Sequence, residues 1–402
     1  MASSSQSEYF SQHEIYQLKV SYEQGGLSMF ATLIMKKLND IENAELNIAV
    51  TGEAGAGKST FINAMRGLRG CDEGAAEIGN IETTMEQTPY KHSTFPNVCF
   101  WDLPGVETTK FPMKDYVSRM GLTTYDFFII ISQNRFTEND AKVAKEIQNL
   151  GKKFYFVRSQ IDNDFSSLEM QGIDFDRMRK LEEMKQNISC GLTEVGISNP
   201  IIFQISCLPP ANSNLDEFKQ TLLDNLNGIK KDVLLMSLQS TTVKIVEMKQ
   251  AQLKERIWML ATVSGVLGVV SVPGLYFAVD LVILVTAIID FRKSLGLDDA
   301  SLQRLANVAK KPVEFLKAEV RSPLMGEINA EFVKQMLWRS SIVAVSMVEV
   351  ALNMIPIIGS IFGSVSSLKM TYKLLTDVLD ELVENAQRMV KVAFATDPSH
   401  PQ

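Results

Sequence analysis

Gly52-Glu53-Ala54-Gly55-Ala56-Gly57-Lys58-Ser59 has the spacing of a phosphate-binding loop, G-x-x-x-x-G-K-[ST]. Its glycines let the backbone curl so that successive N–H groups point inward at phosphate oxygens. Lys58 is the cation that reaches the β- and γ-phosphates, and the Ser59 hydroxyl is a Mg²⁺ ligand. Thr60-Phe61-Ile62-Asn63-Ala64-Met65-Arg66 follows as the opening of a helix. The positive end of that helix faces the same anion, so Thr60 joins the loop as a nucleotide-binding residue.

A phosphate loop alone does not choose a base or a reaction. Asp102-Leu103-Pro104-Gly105 has the D-x-x-G arrangement. In it an aspartate enters the Mg²⁺ shell and a glycine N–H meets the γ-phosphate. Between the two motifs lie a glycine-, alanine- and acid-rich stretch, residues 70–80, and then Ile81-Glu82-Thr83-Thr84. A loop threonine that meets Mg²⁺ when γ-phosphate is present belongs here, and Thr83 and Thr84 both qualify. Arg158-Ser159-Gln160-Ile161-Asp162 occupies the place of a base-reading segment. The Asp162 carboxylate accepts from a pair of donors that guanine offers and adenine does not, so guanine is favoured. Ser159 and Gln160 line the same segment, with Gln160 where a lysine is usual. Ser206-Cys207 supply backbone N–H groups toward the guanine carbonyl.

Each motif needs a strand to end just before it. Short apolar runs stand in those places: 46–50, 98–101, 126–131, 154–157 and 200–205. They read as fully buried strands, and helical patterns at 138–150, 174–195 and 214–226 fill the gaps. Alternation of this kind predicts an α/β fold with a mostly parallel sheet over residues 46–228. In the N-terminal segment, 1–45, Met29, Phe30, Leu33, Ile34, Met35, Leu38 and Ile41 recur at helical spacing and predict a helix packed on a second domain. Helical periodicity dominates residues 229–395, and 396–402 form a tail. Two uncharged runs there, 257–279 and 351–368, are broken by Pro273-Gly274 and by Pro356 and Gly359. Their lengths approach a membrane span, but the breaks favour buried or membrane-touching helices over spanning hairpins.

With 402 residues and 46% hydrophobic content, the chain has material for two or three domains with substantial cores. A net charge of −7 argues against a nucleic-acid partner. Its four cysteines have no metal-ligand spacing and read as reduced thiols of a cytoplasmic protein. Alanine follows the initiator methionine, where N-myristoylation needs glycine.

Taken together, these residues resemble the immunity-related GTPases, an interferon-inducible family. The resemblance extends beyond the phosphate loop to Asn47-Ile48-Ala49-Val50-Thr51, Phe61-Ile62-Asn63-Ala64-Met65-Arg66-Gly67, Glu82-Thr83-Thr84-Met85 and Phe100-Trp101-Asp102-Leu103-Pro104-Gly105. It continues through Tyr125 to Ser132, Lys153 to Arg158 and Gly296 to Leu302. It is close over about 40–210, patchy from 230 to 325 and poor in both tails. It implies a Ras-like GTPase domain on an all-α domain built from both chain ends. Lys58 matches the effector-type subgroup. The resemblance also assigns Glu82 to hydrolysis and Thr84 to Mg²⁺ sensing. Further implications are homo-oligomers through the GTPase faces, other family members as partners, and cytoplasmic proteins peripherally bound to intracellular membranes (endoplasmic reticulum, Golgi or pathogen vacuole). Innate defence is the expected setting. Gln160 and the missing myristoylation start depart from the pattern.

Val106 stands after Gly105, where small GTPases of the Ras type carry a water-orienting glutamine, so hydrolysis is expected to be slow until a second copy completes the site. The competing expectations are a nucleotide-gated binding module with incidental turnover, and a dynamin-like membrane remodeller.

Overall fold

The computed structural model describes residues 9–78, 86–105, 113–133, 136–206, 213–267, 275–320, 322–341 and 366–395. They form two compact units. One comprises residues 45–238, and in the other the chain up to 44 joins the chain from 239 onward.

The first unit is a six-stranded sheet of β1 (Leu46–Thr51), β2 (Thr88–Lys91), β3 (Val98–Asp102), β4 (Phe127–Ser132), β5 (Lys153–Arg158) and β6 (Ile202–Gln204). The strand order is β2-β3-β1-β4-β5-β6, with only β2 antiparallel to its neighbour. All six residues of β4, Phe-Phe-Ile-Ile-Ile-Ser, are buried, as a central parallel strand covered on both faces requires. After α1 (Gln12–Asn43), which belongs to the other unit, the helices here are α2 (Lys58–Met65), α3 (Met113–Arg119), α4 (Glu138–Asn149), α5 (Ile161–Met170), α6 (Arg177–Glu194), α7 (Ser213–Asn225) and α8 (Gly228–Ser237). Phe218 of α7 fastens this layer edge-to-face, with ring centroids 5.5 Å from Phe61 of α2, 6.1 Å from Tyr155 of β5 and 5.0 Å from Phe203 of β6.

Two elements here go beyond the sequence expectations. β2 carries Pro89, which lacks a donor and is tolerated because the strand lies at the sheet edge. Helix α5 begins directly after Gln160, where no helix was anticipated; α6 starts at Arg177 with the Asp176 carboxylate accepting from the N–H groups of Met178 and Arg179.

The second unit contains α1, α9 (Val243–Leu267), α10 (Leu275–Ser294), α11 (Asp299–Ala309), α12 (Val313–Glu319), α13 (Ala330–Ser341) and α14 (Ser366–Phe394). On α14, Leu368, Leu375, Leu379, Leu382, Ala386, Met389 and Ala393 are buried, one stripe at helical spacing. That stripe lies along α9, where Ser264 and Thr371 exchange a buried hydroxyl hydrogen bond of 3.1 Å. Phe10, just before α1, meets Trp258 of α9 at 5.6 Å between centroids. Within α1 the chain kinks at Gly26, whose φ of 61° takes it out of helical geometry. Phe30, Ile34 and Ile41 of the expected stripe are buried, whereas Met29 and Met35 are about half exposed because they lie off that face. Lys249, 1% exposed, donates to the Ser294 carbonyl at 2.7 Å and so satisfies the C-terminal end of α10.

Among the described residues no helix is long and apolar enough to cross a membrane. The Pro273-Gly274 corner and most of the 351–368 run lie outside the described residues.

Candidate functional site

The C-terminal ends of β1, β3, β4, β5 and β6 converge on one edge of the sheet, where open α/β folds place their ligands. The parallel register sets Val50 of β1 beside Asp102 of β3, and the Leu103 N–H donates to the Val50 carbonyl at 2.9 Å. The phosphate loop leaves β1 immediately beyond, so pairing alone brings Asp102 and Gly105 to the loop. The closeness is tight: a Cβ on Gly105 would stand 2.9 Å from the Gly52 carbonyl oxygen.

Glycine is needed at Gly52, where φ is 146° and a Cβ would fall 2.0 Å from the Ile131 carbonyl oxygen. Gly57, φ 90°, turns the chain into α2, which begins at Lys58. Lys58, Ser59 and Thr60 thus form the first helical turn and are half-buried; Ala54 and Gly55 are exposed on the rim. Four loop carbonyls are bound by side chains. Lys58 Nζ donates to Gly52 O at 3.0 Å and Glu53 O at 3.1 Å. Gln160 Nε2 donates to Gly55 O at 3.1 Å, and Ser159 Oγ donates to Ala56 O at 2.6 Å.

These last two bonds join the turn after β5 to the phosphate loop across more than a hundred residues of chain. They show where these two side chains are engaged. The Ser159 hydroxyl is buried and engaged with the loop, and Gln160 uses its amide as a bridge; its Oε1 accepts from Asn163 Nδ2 at 2.9 Å. Gln160 has φ 53°, the left-handed region that non-glycine residues seldom occupy. That turn starts α5 and places Asp162, half-buried, in its first turn. Behind it, buried Arg158 is ion-paired with Asp164 and donates to the Ser159 carbonyl at 2.8 Å. Neither this pair nor the Tyr116 hydroxyl was identified from sequence. Tyr116 is 1% exposed, donates to Pro104 O at 3.0 Å and lies 3.2 Å from Thr51 Oγ1, fastening the turn after β3 to the end of β1. Burial pushes its pKa up to about 12, so it remains a donor.

Buried polar atoms in native folds nearly always have partners. At this edge Asp102 Oδ1, Ser206 Oγ and Arg158 Nε have none among the described residues. Asp102 is 3% exposed, and its pKa is pushed up to about 6 by burial, with Lys58 opposing the shift. A buried carboxylate with an unused oxygen, on the strand beside the loop that carries Ser59, fits a divalent cation. Among the described residues no cluster of His, Cys, Asp and Glu could hold a metal by itself. A single protein carboxylate is in keeping with Mg²⁺, which commonly takes one or two carboxylates and keeps phosphate and water as its other ligands. Ser206, 1% exposed, lies just beyond β6, which pairs with β5 through Gln204 opposite Arg158. Glu82, Thr83, Thr84, Val106 and Cys207 lie outside the described residues.

Residues 11–393 match the family model described as Interferon-inducible GTPase (IIGP). The chain is 34% identical over 385 residues to Interferon-inducible GTPase 5 of Rattus norvegicus, covering 96% of this chain and 83% of that protein. It is 38% identical over 336 residues to T-cell-specific guanine nucleotide triphosphate-binding protein 2 of Mus musculus, covering 83% and 81% respectively. Interferon-gamma-inducible GTPase 10 of Mus musculus is 32% identical over 389 residues, covering 96% and 90%.

Proposed function

The chain belongs to the interferon-inducible GTPase family and is a GTPase, and we propose that it hydrolyses GTP slowly until copies assemble on intracellular membranes in cell-autonomous defence. One observation carries the nucleotide reading: the turn leading to Asp162 is hydrogen-bonded to the phosphate loop through Ser159 and Gln160. A ligand spanning both needs a purine at one end and phosphates at the other.

In this reading the amides of residues 52–59 and the Lys58 ammonium receive the β- and γ-phosphates. Lys58 exchanges its bonds to the Gly52 and Glu53 carbonyls for phosphate oxygens. Asp162 accepts from the guanine N1–H and amino group, while the Ser206 and Cys207 segment donates to the guanine carbonyl. Ser59 and Asp102 hold Mg²⁺, with Thr84 added from the family resemblance. When bound, the ion neutralises phosphate charge. The Gly105 N–H meets the γ-phosphate, and Glu82, also from the resemblance, serves hydrolysis. Valine at 106 cannot orient a water, so low turnover in the isolated protein and completion of the site by a second copy follow. GTPase faces are the proposed contact between copies, and other family members are proposed as further partners. Membrane attachment is peripheral and favoured by the GTP-bound state.

A competition titration tests the base. Labelled GDP should be displaced by GTP and not by ATP, and Asp162→Asn should weaken GTP by about thirtyfold to a thousandfold, the ~2–4 kcal/mol of a charged hydrogen-bond pair. Equal displacement by ATP would overturn the assignment.

A further inference from the structure

Helix α2 carries two buried polar side chains that nucleotide binding does not use. Asn63 is 2% exposed, and Arg66, at the helix C-cap, is 6% exposed. They are three residues apart and so share a helix face. Asn63 Nδ2 donates to Ala76 O at 2.9 Å while its Oδ1 accepts from Ala76 N at 2.7 Å. Ala76 presents one donor and one acceptor, so only an amide of this length, in this orientation, answers both. The Arg66 guanidinium spreads over two separate segments. Nη1 donates to Gly74 O at 2.9 Å, and Nε and Nη2 donate to Lys91 O at 3.1 and 2.9 Å. It also lies 5.7 Å from the centre of the Tyr90 ring. Its partners among the described residues are carbonyls and a ring, with no carboxylate. Burial pulls its pKa down from the ordinary arginine value.

A buried cation held by carbonyls, with no carboxylate beside it among the described residues, is costly to keep, and its geometry shows what it secures. Gly74 and Ala76 precede residues 77–87 in the chain, and Lys91 follows them. Glu82 and Thr84 lie between these anchors. The same helix starts with Lys58 and Ser59 and is eight residues long. One short rigid element therefore carries phosphate-binding groups at its first turn and both anchors at its last.

We propose that Asn63 and Arg66 are positioning residues for GTP hydrolysis, fixing where the chain that bears Glu82 and Thr84 leaves and rejoins the phosphate-loop helix. The inference rests on the GTPase reading above. It assigns a role to the Asn63-Ala64-Met65-Arg66 stretch that nucleotide contact leaves unexplained.

The test separates binding from turnover in the full chain. Labelled-GDP affinity and single-turnover GTP hydrolysis are measured for Asn63→Asp, Asn63→Ala, Arg66→Lys and Arg66→Met, each below its own melting temperature. Asn63→Asp keeps the acceptor for the Ala76 N–H but sets a carboxylate against its carbonyl; lysine at 66 keeps the charge but reaches fewer carbonyls. The expected result is GDP affinity at the wild-type value with hydrolysis slowed about ten- to a hundredfold, the effect of a small misplacement of catalytic groups. Arg66→Lys should recover part of the rate lost in Arg66→Met. Wild-type rates in folded variants with lowered melting temperatures would overturn the proposal, since the contacts would then be structural alone. A parallel loss of GDP affinity and rate would overturn it too, by showing damage to the phosphate loop itself. If the wild-type protein bound no GDP, the GTPase reading would fail instead, and the two failures are distinct.

Discussion

Replacing Asp102 by Asn should make the nucleotide-free protein more stable and deprive it of its response to Mg²⁺. The carboxyl is 3% exposed, and burial lifts its pKa from 3.8 to about 6 despite Lys58. The sign follows from proton linkage. A carboxyl that binds its proton more tightly when folded stabilises the fold below the unfolded value of 3.8. That advantage is lost as pH rises through about 6, leaving the ionised fold carrying the full penalty. At about 1.4 kcal/mol per tenfold in acidity, the penalty at neutral pH is about 3 kcal/mol. Asparagine matches the shape without the charge. At about 2–4 °C per kcal/mol for a unit of this size, Asp102→Asn should melt about 6–12 °C higher than wild type at pH 7.5 without ligand. The gap should close as pH falls from about 6 toward 4. Adding Mg²⁺ with GDP should raise the wild-type melting temperature more at pH 7.5 than at pH 5, because the ion displaces the proton. The variant should gain little from Mg²⁺ at either pH. Thermal melts of both proteins across pH 4–8 decide the matter. A gap that does not change with pH, or a variant less stable than wild type at pH 7.5, would refute the reasoning.

Two further predictions concern the phosphate loop and the residue assigned to hydrolysis. Gly52→Ala should abolish nucleotide binding and lower stability, because the new Cβ would meet the Ile131 carbonyl oxygen at 2.0 Å and backbone cannot yield as a side chain can; a labelled-GDP titration with a thermal melt checks both. Lys58→Ala should lose productive nucleotide binding, whereas Glu82→Ala should bind GTP normally and fail to hydrolyse it; phosphate release together with nucleotide affinity separates the two, and wild-type turnover by Glu82→Ala would remove the inherited role.

The sheet was largely legible in the sequence because buried parallel strands are continuous apolar runs. β1, β3, β4 and β5 fall on the expected runs to within a residue or so at each end. β2 was not legible, since only alternate residues are half-buried and Pro89 argues against a strand until its edge position is known. α5 was hidden for a different reason: the polar run Asp162-Asn163-Asp164 follows its first residue, and only Ile161 and Phe165 are buried. In the site, the phosphate loop and Asp102 are local patterns tied to strand ends, so spacing reveals them. The bonds from Ser159 and Gln160 to the loop, the Tyr116 link and the Arg158–Asp164 pair depend on which side chain meets which backbone in three dimensions. No periodicity encodes that. Ser159 shows the consequence most clearly, because its position in the motif suggested nucleotide contact and its hydroxyl holds the Ala56 carbonyl.

The central claim is a guanine-nucleotide site that is slow alone and completed by a second copy of the chain. The most direct measurement is GTP turnover per molecule against protein concentration, with Mg²⁺, in the presence and absence of liposomes. Turnover per molecule should climb with concentration and climb at lower concentration when liposomes gather the protein on a surface. A rate per molecule that stays constant across the whole range, with and without liposomes, would contradict the account.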